Sequence, residues 1–139
     1  MRYLVLTCCL ALAALCNGAA HAQQPQNPAA TEPQAGAEAA PPYEADLMRL
    51  ARVLGVLTFI DGLCGEGDPQ QWRERMADLL DAEGTSPQRR ERLAGAYNRG
   101  YRSYALTYRR CTDAARAARD LHAAEGQRLT RTLASRFGQ

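Results

Sequence analysis

From Leu93 to Thr112 the chain reads LAGAYNRGYRSYALTYRRCT. The stretch holds four of the six tyrosines, four arginines and no acidic residue. Leu93, Tyr97, Tyr101, Tyr104, Tyr108 and Cys111 recur at steps of three and four. At 100° per residue they share an arc of about 80°, the inward stripe of an α-helix. Arg92, Arg99, Arg102, Arg109 and Arg110 fall on the opposite half, with Leu106 among them. The stretch therefore predicts the middle of a long helix with a tyrosine seam inside and an arginine face outside. Tyrosines at this spacing pack a core, with hydroxyls reaching its edge, more often than they stack on sugars. Gly95 and Gly100 each cost about 1 kcal/mol inside a helix, which points to close approach by a neighbouring helix.

The same grammar extends in both directions. Upstream, Tyr43, Leu47, Leu50, Leu54 and Leu57 form a stripe that Val53, Val56, Phe59, Ile60 and Leu63 widen until it is apolar nearly all round. A central, well-covered helix over Tyr43 to Leu63 is predicted, stopped by Gly62, Gly65 and Gly67. Asp68-Pro69 opens a second helix, Pro69 to Glu83, with Gln71 at the capping-box position and Trp72, Met76, Leu79 and Leu80 turned inward. Ser86-Pro87 opens a third, which runs to Phe137 with a bend or break near Cys111 or Gly126; Thr112-Asp113 supplies a cap for a fresh start. No segment reads as strand. The fold class is all-α, a small bundle of three to four helices with one disulfide.

The N-terminal part is of another kind. Met1-Arg2, an apolar run from Tyr3 to Leu15 and Ala20-His21-Ala22 have the pattern of a secretory leader cleaved after Ala22. The apolar run is too short for a comfortable membrane span. Leu15 before Cys16 argues against lipidation. Residues 23–42 are rich in Gln, Pro, Ala and Gly without apolar periodicity, the composition of a disordered linker. The expected division is 1–22 leader, 23–42 linker and 43–139 helical domain. Cys8, Cys9 and Cys16 leave with the leader, so Cys64 and Cys111 pair in an oxidising compartment. Export to the periplasm follows, with no stable transmembrane segment after cleavage.

All seventeen basic residues are arginine. Residues 43–86 carry four arginines against nine acidic residues, and residues 87–139 twelve against four. Such halves either neutralise each other on packing or leave a basic surface for an anionic partner.

The series LMRLARVLGVL (residues 47–57), LCG (63–65), WRERMADLLDAE (72–83), YNRGYRSY (97–104) and YRRCTDAA (108–115) resembles a family of small, uncharacterised exported proteins of Gram-negative bacteria. The resemblance spans Tyr43 to Phe137 and implies a periplasmic, all-helical domain with a cysteine pair. It implies no activity.

Chemistry-bearing constellations are sparse. His122 is the one histidine left after leader removal, and no CxxC or HxxxH spacing accompanies it, which leaves too few ligands for a closed metal site. His122 reads as a surface or helix-packing residue. Asp61 and Glu66 bracket a glycine turn and read as solvated carboxylates at a helix end, the alternative being an acid/base pair of a cell-wall-acting enzyme or its accessory. No cofactor or catalytic residue is expected. The function expected is non-enzymatic: binding of another protein or an anionic envelope component through Arg92, Arg99, Arg102, Leu106, Arg109 and Arg110. Nucleic acid is a poor partner for an exported chain. Small size and a cysteine pair also suit a periplasmic chaperone.

Overall fold

A computed structural model of the chain describes residues 39–138. The expected leader and nearly all of the expected linker lie outside the described residues. Four helices follow, α1 (Glu44–Cys64), α2 (Pro69–Glu83), α3 (Pro87–Thr107) and α4 (Asp113–Phe137), with no strand among the described residues.

α1 is the centre. Ten of its residues are buried, and from Val53 to Thr58 they follow one another without a gap, so the helix is covered on every side. Gly65, at φ 63°, ends it in the left-handed conformation that lets the chain turn away. The other three helices are arranged around it. α2 and α3 also touch each other, whereas the backbone of α4 approaches α1 alone. Leu47, Ala51 and Leu54 of α1 meet Met76 of α2 and Leu93 and Ala96 of α3 in one apolar cluster. Val53 and Leu57 meet Leu129 of α4 in another.

Local capping explains the boundaries. The Asp68 side chain accepts from the Gln70 amide at 2.8 Å, and Pro69 fills the first helical position. Ser86 accepts from the Arg89 amide and Thr112 from the Ala115 amide, at 3.3 and 3.2 Å. The last cap settles the course of the third predicted helix. It does break near Cys111: α3 ends at Thr107 and α4 starts afresh at Asp113. Gly126 lies inside unbroken helix, where an added Cβ would stand 3.2 Å from Val53 Cγ1.

Two expectations need correction here. Cys111, Arg109 and Arg110 are not helical; they sit in the connection between α3 and α4, which bends at Arg109 and Arg110. The reason is covalent as well as local, because Cys111 is bonded to Cys64 at the end of α1, with their Cα atoms 4.9 Å apart. The tyrosine seam is only partly buried. Tyr97 donates to Thr58 Oγ1 at 2.9 Å, and Thr58 in turn donates to the Leu54 carbonyl. Tyr101 is 40% exposed, edge-on to Phe59. Helical phase places it on the flank of the seam, and no fourth helix covers that flank.

The close approach foreseen from the glycines is real at Gly100 and absent at Gly95. A Cβ on Gly100 would lie 2.1 Å from the Arg52 carbonyl oxygen. On the facing helix, a Cβ on Gly55 would lie 2.0 Å from the Tyr97 carbonyl oxygen. The two glycines thus let α1 and α3 touch backbone to backbone, a spacing any side chain would prevent. Gly95 faces only the tip of Arg99.

Candidate functional site

The opposed charges of the two halves are partly matched in the fold. Arg89 is 2% exposed, with Nη1 on Glu44 at 2.5 Å, Nη2 on Glu83 at 3.1 Å and Nε on the Glu83 carbonyl. Arg90 meets Asp81, Arg116 meets Glu66 at 2.7 Å and Arg119 meets Asp61 at 2.7 Å. Every one of these ion pairs joins an arginine of the basic half to a carboxylate of the acidic half.

Asp61 is the clearest departure from expectation. It is 1% exposed, not solvated. One carboxylate oxygen accepts from Trp72 Nε1 at 2.6 Å and the other from Arg119 Nε. The carboxylate therefore ties α1 to both α2 and α4. The hydrogen bond that Arg119 donates to Asp61 outweighs burial and raises the Arg119 pKa above its ordinary value. Glu66, the other half of the supposed acid/base pair, is held by Arg116 on the surface.

The six residues proposed for binding divide into three settings. Arg92 is paired with Glu44 at 3.3 Å. Arg99 folds back over Gly95 and lines a cleft. Arg102 and Leu106, one turn apart, are exposed near the end of α3, Leu106 by 74%, and Arg109 and Arg110 follow in the exposed connection. Arg99, Arg102, Arg109 and Arg110 meet no carboxylate among the described residues. The face is thus not one helical surface.

The cleft beside Arg99 has a volume of about 550 Å³ and lies over α1 between α3 and α4. Met48, Val53 and Ala96 line it with apolar surface; Arg49, Arg52, Arg99, His122 and Glu125 supply the charge and polarity. His122 joins the two outer helices: its Nε2 lies 2.5 Å from the Tyr104 hydroxyl, and the rings meet edge to face. Its Nδ1 lies 3.2 Å from Glu125, which also receives Arg49 Nε. Burial alone would raise the Glu125 pKa, but the Arg49 hydrogen bond and charge, with His122, bring it below the ordinary value. Burial, helped by Tyr108, raises the Tyr104 pKa against the opposing charge of Arg52. Sequence reasoning missed this cluster. His122 and Tyr104 are 18 residues apart, and only the reversal of the chain at residues 108–112 brings them together.

Among the described residues no group of three or more His, Cys, Asp or Glu is placed to hold a metal ion. No described helix is long and apolar enough to cross a membrane.

Fold and site define a class: an all-helical domain with one central helix, stapled by the Cys64–Cys111 disulfide and bearing arginines that meet no carboxylate among the described residues. The family described as "Protein of unknown function (DUF2385)" matches residues 42–137, and the chain belongs to it. No curated protein and no solved structure matches the chain.

Proposed function

We propose that this chain is an exported, periplasmic, non-enzymatic protein of a Gram-negative cell envelope. It binds an anionic envelope component through the arginine surface at the end of α3. One observation carries the reading. Arg102, Arg109 and Arg110 have no carboxylate partner among the described residues and flank an exposed Leu106 in the sequence, whereas Arg89, Arg90, Arg92, Arg116 and Arg119 are all pinned. Guanidinium groups suit phosphate and carboxylate, and an exposed leucine between them adds an apolar contact. The leader-like N-terminus and the Cys64–Cys111 bond support an oxidising compartment. Engagement of both Asp61 and Glu66 by arginines supports a binding role over acid/base chemistry.

Co-sedimentation with anionic phospholipid vesicles and with purified peptidoglycan tests it. The reading expects binding that weakens with salt and falls about tenfold in an Arg102/Arg109/Arg110→Met variant. Equal recovery of wild type and variant on both materials would remove the arginine surface.

A further inference from the structure

The cleft between α3 and α4 is a separate matter from that surface. We propose that it is a binding site for a small amphiphilic oxyanion, a carboxylate or phosphate ester attached to a short apolar body.

Its charge is the first reason. Of the three arginines that line it, Arg49 is held by Glu125, whereas Arg52 and Arg99 meet no carboxylate among the described residues. Glu125 is the cleft's one acidic residue, and Arg49 and His122 already occupy it. The cleft therefore carries two uncompensated guanidiniums. Each lies against a glycine of α3, Arg52 across the α1–α3 contact and Arg99 along its own helix. The Arg52 stem lies against Gly100, within 3.2 Å of where a Cβ would be, and the Arg99 tip lies at the same distance over Gly95. Two cations on facing helices that line one cleft suit an oxyanion that takes a hydrogen bond from each.

The apolar part is the second reason. Val53 and Ala96 are each 2% exposed, and Met48 is half-buried beside them. Met48 supplies the accessible apolar surface over a floor of Val53 and Ala96; a bare inorganic anion would leave it wet, and an alkyl or acyl body would cover it. The volume, about 550 Å³, falls within the range of small-molecule sites. The space exists because the backbones of α3 and α4 do not approach each other, and the side-chain bridge from Tyr104 to His122 spans them.

Amide chemical-shift titration of the purified protein with four probes tests the site: acetate, hexanoate, inorganic phosphate and hexyl phosphate. The expected result is shifts at Met48, Val53 and Ala96, with each chain-bearing probe binding at least about tenfold tighter than its short counterpart, acetate or inorganic phosphate. The stronger of the two chain-bearing probes identifies carboxylate or phosphate as the natural head. Arg52→Met and Arg99→Met keep the aliphatic stems and should each weaken binding about tenfold, while Arg73→Met on α2 leaves it unchanged. No shift in the cleft with any probe, or undiminished binding by Arg99→Met, would overturn the proposal. Arg99 is exposed and packs over a glycine, so that variant decides the matter even if Arg52→Met folds poorly.

Discussion

The Asp61 carboxylate, 1% exposed at the end of the central helix, receives Arg119 Nε of α4 at 2.7 Å. Since the backbone of α4 approaches only α1, this pair and the buried Leu129 are main attachments of the last helix. Trp72 Nε1 shares the same carboxylate from the α2 side. Asp61→Ala leaves a partly buried guanidinium and an indole N–H without their acceptor. Breaking such a pair should cost about 3 kcal/mol, allowing for the partial exposure of Arg119. Urea denaturation measures it, and a loss below about 0.5 kcal/mol would show that Asp61 does not hold α4.

Gly95 and Gly100 lie in the same helix and should respond to alanine with opposite signs. Gly100→Ala drives a methyl into the Arg52 carbonyl oxygen and should destabilise by about 2–4 kcal/mol, because backbone has to move. Gly95→Ala meets only the flexible end of Arg99 and gains helix propensity, so it should stabilise by up to about 1 kcal/mol. Melting temperatures of the two variants check the contrast.

The disulfide joins residues 47 apart and ties the end of α1 to the α3–α4 connection, enclosing α2 and α3 in the loop. The chain-entropy relation assigns a loop of that length about 4 kcal/mol. Replacing Cys64 and Cys111 together by serine should lower the melting temperature by well over ten degrees, on the order of 4–8 °C per kcal/mol for a domain of this size. Mass measurement without reductant should find the wild-type protein two hydrogens lighter than its reduced form. An unchanged melting point would make the bond dispensable.

Glu125 ties pH to stability. Its folded pKa lies below the ordinary 4.5, so it contributes stability that is fully present above that value. The contribution is lost as pH falls through the lower folded pKa. Glu125→Gln should therefore be less stable than wild type near neutrality, by about 1 kcal/mol given how exposed Arg49 is. The two should converge as the medium becomes strongly acidic. A stability gap that stays constant from neutral to acid would rule out the ion pair as its source.

Much of the architecture was legible in the residues themselves. The predicted helix from Tyr43 to Leu63 differs from α1 by one residue at each end, and the predicted Pro69 to Glu83 coincides with α2. Stripes, prolines and caps are local signals, readable within a turn or two. The break after Thr107 was one of two candidates, and the Thr112 cap was visible beforehand. What was misread lies at the edges of patterns: Tyr101 continues the seam by phase yet has no helix above it, and Arg109 and Arg110 continue the arginine series after the helix has ended.

By itself, then, the sequence determined an all-helical domain with a covered first helix, two capped successors and two cysteines for one bond. It also determined the opposed charges of the two halves. Only the tertiary structure decided which charges cancel and which remain. Arg89 reaches Glu44 across 45 residues, Arg119 reaches Asp61 across 58, and His122 meets Tyr104 across 18. No periodicity within one helix encodes such pairings, because they depend on how helices are packed and turned against one another. Arg52 and Arg99 stand out because α1 and α3 meet at two glycines while α4 stays apart from α3.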